Sequence, residues 1–490
     1  GWIADKQRAC HQRGLLGGEN LRLGLGPIAY RLWCEQLEPP LPSALEPLQQ
    51  RWLVIGDGDS APDGALPVQG WLVLLGPGAR LRPRALHALE QWLQRGGMGA
   101  AEPRLEHARQ LLQPWLPGPL PDLLSADEDR LDHHGQRSDP WFKPALLAES
   151  SWSTPWLESF SAWRLSWLRE QGLGWPPAER LERQAWLWRA LALRPSHQHL
   201  PLVLVHSQQR VPDAASRQAE AALLHHHLRQ LDEAVVAVRP HPQRPSGFEI
   251  DWDLPDGLRC TAIVPTRDRA DLLEQCLRSV TASTARSGIE LEWIVVDNGS
   301  CEPATQDLLA AWQQRLGPRF RVIRDGRPFN WSLLNNQAAQ ASQADLLLFL
   351  NNDIEARGSG WLERMAAQAI RPQVGCVGAV LLYPDGSLQH AGVAVGLHGG
   401  ADHAYRHLKP DHGVHRGRSG YLSDWGAVTG ACLMVERALF LRSGGFDPAL
   451  PVEFNDVDFC LRLGQHGYRH VLDPRVELVH HESQSRDALG

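Results

Sequence analysis

In the second half of the chain, dense apolar runs alternate with stretches whose apolar residues recur at helical spacing. Residues 260–264 (CTAIV), 292–296 (EWIVV), 320–324 and 345–350 (DLLLFL) read as short strands. Brief, nearly continuous apolar runs suit strands buried on both faces. Residues 268–280, 307–315 and 333–342 read as the helices between them. Strands alternating with helices predict a mainly parallel sheet with helices on both faces, and such sheets bind ligands at the carboxyl ends of their strands. The polar clusters 265–268, 297–300 and 351–353 fall at those ends.

The first half repeats part of this pattern. Residues 51–55 and 70–75 (GWLVLL) read as strands, each followed by a polar or glycine-rich turn, and 83–94 reads as a helix. Set side by side, GWLVLLGPGARLRPRALHALEQW and DLLLFLNNDIEARGSGWLERM follow one plan, as an internal repeat would. A helix is expected over 214–231. Its triple histidine, 225–227, fits a solvated face better than a metal site. Residues 239–257 are rich in proline and polar residues and read as a linker.

A length of 490 residues predicts two to four domains, each able to bury a core. The 43% hydrophobic and 21% charged composition excludes a wholly disordered or collagen-like chain. A net charge of −7 argues against a nucleic-acid partner. Tryptophans concentrate over 141–188, which predicts dense packing or an interaction surface. The eight cysteines form no CxxC pair and no zinc-like set with histidine, a pattern that fits a reducing compartment. No apolar run approaches the roughly 20 residues that span a bilayer, and no charged-then-apolar leader opens the chain. The expectation is a cytoplasmic protein with at most peripheral membrane contact.

The motifs PTRDRADLLEQCLRSV, VVDNGS, PFNWSLLNN, LLFLNNDIE, AVTGACLMV, GGFDPALPVEFNDVDFCLRL and HHESQSR occur in that order. This series closely resembles the family 2 glycosyltransferases of GT-A fold, nearest to bacterial rhamnosyl- and galactofuranosyl-type enzymes of surface polysaccharide assembly. The resemblance covers about residues 258–486. It implies an α/β, Rossmann-like sheet, a nucleotide-diphosphate sugar as donor, Mn2+ or Mg2+ as cofactor, and a glycan or lipid-linked glycan as acceptor.

The residue types suit that chemistry. A departing diphosphate needs a divalent cation or fixed dipoles to hold its charge, and such cations prefer oxygen ligands. Asp353 stands at a strand's carboxyl end and matches the last acid of the family's Asp-x-Asp motif. Asn351 and Asn352 precede it and join the donor-binding set, so an amide replaces one anionic ligand. The attacking hydroxyl needs a base. Asp456 matches the base position in the resembling family, Asn455 stands where a glutamate is usual, and Asp458 is a neighbouring acid. His480 fits the metal-binding histidine of a His-x-x-x-x-Ser pattern closed by Ser485, with the adjacent His481 as the alternative. By the same resemblance Thr266, Arg269 and Asp297 contact the donor nucleotide. Asn330, Asn335 and Asn336 either line the donor pocket or cap a helix. Residues 383–392 and 427–431 are expected on the acceptor side, where Trp425 either stacks on a sugar or is simply buried.

Residues 125–144 resemble a segment of tandem two-module relatives, so the first half reads as a degenerate, non-catalytic module of the same family. Gly76, Pro77 and Gly78 stand where the metal acid belongs, the base position falls near Gln184 and Ala185, and His206 reads as a relic of the metal histidine. The expected organisation is an extension over 1–26, the degenerate module over 27–238, the linker over 239–257 and the catalytic domain over 258–490. The expected function is inverting, metal-dependent sugar transfer, since no nucleophile for a double displacement is apparent. The alternatives are a non-catalytic carbohydrate-binding or scaffold protein and a sugar nucleotidyltransferase. PTRDRADLL lacks the glycine-rich segment that the latter requires.

Overall fold

The computed structural model describes residues 27–36, 38–42, 47–94, 120–143, 148–208, 212–244, 246–395 and 400–481. The expected extension over 1–26 and Ser485 lie outside the described residues. The chain divides into two compact units, with the main boundary between Ile250 and Asp251 and the short stretch Gly413–Arg418 grouped with the amino-terminal unit. No helix among the described residues is long and apolar enough to cross a membrane.

The amino-terminal unit is built on strands β1 (Trp52–Ile55), β2 (Trp71–Leu75), β3 (Arg80–Leu81), β4 (Leu123–Leu131), β5 (Arg137–Trp141), β6 (Phe160–Arg164) and β7 (His197–Ser207). Their order in the sheet is β1-β2-β6-β4-β7-β3, with β5 on β4. The pairs β1–β2 and β4–β7 are parallel, and β2–β6, β6–β4 and β7–β3 are antiparallel. Helices α1 (Pro27–Gln36), α2 (Ala85–Gln94), α3 (Ala148–Ser153), α4 (Leu165–Glu170), α5 (Arg180–Ala192) and α6 (Ala214–Gln230) complete it. The tryptophan-rich region is core. Trp156, Trp163, Trp167, Trp186 and Trp188 are all buried, and Trp163 packs against both Trp167 and Trp186. His227 of the triple histidine is also buried, stacked on Trp188, and burial lowers its pKa to about 4. Only His226 of the three is on the exposed face expected for the run.

β4 (LLSADEDRL) is polar in sequence yet largely buried. Each acid there has a fixed partner: Asp127 with His199 at 2.9 Å, Asp129 with Arg137 at 2.5 Å, and Glu128 with Lys143 at 2.6 Å and with Arg416. Burial pushes the Glu128 carboxyl up, but the two cations outweigh it and hold it at about 2.

The stretch 239–257, read as a linker, contains the boundary between the two units and also carries strand structure. β8 (Val235–Pro240) and β9 (Phe248–Trp252) form a two-stranded sheet, and β9 alternates buried and half-buried residues. Proline marks the turn region between the strands, and Phe248, Ile250 and Trp252 supply a buried face.

The carboxyl-terminal unit opens with the predicted alternation: β10 (Arg259–Thr266), α7 (Ala270–Ser283), β11 (Glu290–Asp297), α8 (Pro303–Leu316), β12 (Phe320–Arg324), α9 (Trp331–Ala341) and β13 (Leu346–Leu350). β12, β11, β10 and β13 are neighbours and all parallel. Beyond β13 the sheet departs from the mainly parallel expectation and is mixed. β14 (Ile354–Ala356) is followed by α10 (Trp361–Ala369), β15 (Val374–Leu382), β16 (Leu388–His390), β17 (Val393–Val395), β18 (Ala401–His403), β19 (Ser423–Trp425), β20 (Cys432–Glu436), α11 (Arg437–Arg442), α12 (Asn455–Gln465) and β21 (Arg469–His480). The order continues β13-β20-β15-β21-β14. β20 runs antiparallel to both β13 and β15, and β21 runs parallel to β15 and antiparallel to β14. Helical crossovers, which impose parallel pairing, are missing between several of these strands. One core cluster joins the faces of α9, α11 and α12 to the sheet around Phe349, Phe440, Phe446 and Phe459.

Candidate functional site

The strand directions gather one set of residues at one edge of the carboxyl-terminal sheet. β10, β11, β13 and β21 all end there, and β20 begins there, because Leu350 closes β13 opposite Cys432. Thr266 and Asp297 are register partners at the ends of β10 and β11. Asn351, Asn352 and Asp353 follow β13, and His480 ends β21 opposite Ile354.

Asp353 and His480 meet directly. His480 Nε2 lies 3.0 Å from Asp353 Oδ1 and 3.3 Å from the Asn351 amide nitrogen, while His480 Nδ1 lies 2.6 Å from Gln389 Oε1. Both side chains are buried. Burial works against the Asp353 charge, but the adjoining His480 outweighs it and the carboxyl sits below its usual range. Asp353 Oδ1 makes no hydrogen bond despite the close imidazole. An orphaned carboxylate oxygen beside a ring nitrogen, flanked by amide side chains, is a donor set that fits Mn2+ or Mg2+. His481 is turned away. Its ring pairs with Glu355 at 2.9 Å and with Gln275, and only its backbone N–H reaches Asp353, through the carbonyl oxygen.

Asp456 is the second residue of α12 and is joined to this group by two consecutive backbone contacts. Asn351 N–H donates to Ala431 O at 3.0 Å, and Gly430 N–H donates to Asp456 Oδ2 at 2.7 Å. A Cβ at Gly430 would stand 2.8 Å from Trp331 Cη2 and 3.5 Å from Asp456 Cβ, so glycine is what lets the loop pass between them. Burial raises the Asp456 pKa to about 6, against the pull of the Gly430 and Val457 N–H groups. A carboxyl poised there is suited to general-base work near neutral pH. Asp458 instead pairs with Arg462 one turn on, at 2.8 Å.

The donor-side residues have local partners. Thr266 Oγ1 accepts from the Asn352 amide at 3.1 Å. Asp297 Oδ1 accepts the Ser300 N–H at 2.9 Å, shaping the turn, and Oδ2 is ion-paired with Arg324. Arg269 has a left-handed backbone and pairs with Asp271 at 2.9 Å. The asparagines of 330–336 act as braces: Asn330 caps α9, Asn335 bonds the Trp331 carbonyl, and Asn336 holds both backbone groups of Phe446. Trp425 is buried and donates to Ser423 Oγ.

Two features were not legible from residue spacing. Gln389, within the segment expected on the acceptor side, instead contacts His480. Cys376, Cys460 and His470 lie within 4.8 Å of one another, the one such cluster among the described residues. His470 spends both ring nitrogens on the backbone, at Cys376 N–H and Cys460 O, so it has no lone pair left for a metal.

A model of the family described as Glycosyl transferase family 2 matches residues 261–409. The chain is 34% identical over 378 residues to uncharacterized protein y4gI of Sinorhizobium fredii, covering 74% of this chain and 41% of that one. It is 33% identical over 404 residues to the O-antigen biosynthesis protein RfbC of Myxococcus xanthus, covering 80% of this chain and 31% of that one. Over 229 residues it is 28% identical to the N-acetylglucosaminyl-diphospho-decaprenol L-rhamnosyltransferase of Mycobacterium tuberculosis, covering 44% of this chain and 73% of that one. The chain therefore spans less than half the length of the first two relatives. Its carboxyl-terminal half holds a domain like those of glycosyltransferase family 2, related to bacterial rhamnosyltransferase and O-antigen biosynthesis proteins.

Proposed function

We propose that the carboxyl-terminal unit is a GT-A-type, inverting glycosyltransferase. It moves a sugar from a nucleotide-diphosphate donor to a hydroxyl of a glycan or lipid-linked glycan acceptor, in surface polysaccharide assembly on the cytoplasmic side. The observation that carries this reading is the grouping of Asp353 and His480, in contact, with Asp456 linked to Asn351 through the Gly430–Ala431 backbone by two hydrogen bonds. Asp353 and His480 would hold the divalent cation, which supplies charge neutralisation at the departing diphosphate. Asn351, Asn352, Thr266, Asp297 and Arg269 would orient the donor nucleotide. Asp456 takes the proton from the acceptor hydroxyl as its oxygen attacks the anomeric carbon. Gly430 N–H holds one carboxylate oxygen of Asp456 and leaves the other turned toward its own helix start at Val457 N–H. With one attacking oxygen and one leaving group, the configuration inverts.

The amino-terminal unit is proposed as a degenerate, non-catalytic module of the same kind. Its strand order and directions, β1-β2-β6-β4-β7-β3, support this, because they repeat β10-β13-β20-β15-β21-β14 in chain order and sense.

The test is Mn2+-dependent release of nucleotide diphosphate from a panel of nucleotide sugars, with and without candidate acceptors. Release abolished in Asp456→Asn at full donor binding supports the reading. Binding without any release from the wild-type protein supports a carbohydrate-binding pseudo-enzyme instead.

A further inference from the structure

We propose that Gln389 is a positioning residue that fixes the tautomer of His480, so that Nε2 presents its lone pair beside Asp353. The inference rests on the divalent-cation reading given above. Gln389 and His480 are both buried and face each other, His480 Nδ1 to Gln389 Oε1, at 2.6 Å. An amide oxygen only accepts, so Nδ1 carries the proton. In the neutral ring Nε2 then carries the lone pair, with the Asn351 amide 3.3 Å from it as a donor. In that neutral tautomer Nε2 and Asp353 Oδ1, 3.0 Å apart, present two lone pairs to one point, which a cation can join in place of a proton. A metal cation therefore competes with a proton for the position between the two atoms. A metal-binding histidine whose other nitrogen is held by an acceptor is more basic and correctly oriented.

The amino-terminal unit supplies an independent parallel. His206 pairs with Arg80 across β7–β3 as His480 pairs with Ile354 across β21–β14. Its Nδ1 is likewise held by a buried acceptor, Asp129 Oδ1, at 2.5 Å. The anchoring of this ring nitrogen is thus present in both units, although the acceptor comes from a different strand in each.

The experiment titrates the full chain with Mn2+ alone, followed by electron paramagnetic resonance of the free ion. Gln389→Leu is expected to weaken Mn2+ binding by about 10- to 100-fold. Gln389→Glu, which keeps an acceptor oxygen toward Nδ1, is expected to stay within about 3-fold of wild type. Wild-type binding with an unchanged Gln389→Leu overturns the inference alone. A wild-type protein with no saturable Mn2+ binding that Asp353→Ala would remove overturns the cation reading, and this inference with it. Should Gln389→Leu fail to fold, 15N spectra of histidine-labelled wild-type protein decide, using the signal missing from His480→Gln. An Nδ1–H tautomer supports the proposal and an Nε2–H tautomer overturns it.

Discussion

The two units carry the same strand order and the same strand senses, but different groups at equivalent places. Leu75 faces Phe160 across β2–β6 as Leu350 faces Cys432 across β13–β20, which puts the two sheets in register. On that register Glu158 falls where Gly430 stands and Ser159 where Ala431 stands. Gly76 N–H bonds Ser159 O just as Asn351 N–H bonds Ala431 O. After that point the chemistry diverges. The turn from Gly76 to Ala79 has no carboxylate, and a Cβ at Gly76 would fall 2.3 Å from Glu158 O. The helix that corresponds to α12 begins at Arg180, so its second residue, which matches Asp456, is Leu181, a few positions before the Gln184 and Ala185 expected there. Arg180 there pairs with Glu158 and Glu220, and Glu179 is used in capping. Where one unit has a base held by a glycine N–H near the start of this helix, the other has a cation held by two acids. The comparison teaches that this sheet can be kept while its charge pattern is inverted.

The sharpest way to break the comparison is at the base. Asp456→Asn is expected to cut turnover by about 10²- to 10⁴-fold with donor binding kept, measured by single-turnover kinetics; an unchanged rate would return Asp456 to a structural role. In the wild-type protein kcat/KM should rise with pH through about 6, as the Asp456 carboxyl loses its proton. Next in size, Glu128→Gln leaves Lys143 buried without its counter-charge. It should cost about 3–5 kcal/mol in denaturant unfolding of the amino-terminal unit, with Mn2+ binding unmoved. Because the Glu128 carboxyl is held at about 2, its contribution to stability is present above the usual carboxyl range and is lost as pH falls through 2. Asp456 has the opposite sign. Its pKa of about 6 stands above the ordinary 3.8, so its contribution is full below 4 and lost as pH rises through 6. Asp456→Asn should therefore stabilise the carboxyl-terminal unit at pH 7 by on the order of 1–3 kcal/mol, read as a raised midpoint. Smallest of all, His206→Ala should leave Mn2+ binding and turnover unchanged, while His480→Ala removes the binding. A matching loss from His206→Ala would make the first unit a second metal site.

Much of the first half of the carboxyl-terminal unit was legible in the sequence. β10 to β13 are short buried strands separated by amphipathic helices, and period alone distinguishes them. Motifs mark Asp353, Asp456 and His480; strand direction brings the first and last together, and Asp456 reaches the loop beside them from α12. The region after β15 was not legible, because β16, β17, β18 and β19 are three residues each and show no period. β4 carries no apolar strand pattern for another reason. Its run SADEDR looks solvated until Lys143, Arg137, His199 and His206, distant in sequence, are brought against it. Gln389 was hidden in the same way, since its partner lies 91 positions on.

The pairing of Ile354 with His480 has a consequence for how such a protein can vary. The two candidate ligands are spaced by a backbone ladder between β14 and β21, not by the loops that would greet an acceptor. Under the proposed function, insertions and substitutions in those loops would change the acceptor while the spacing of the two candidate ligands is inherited unaltered.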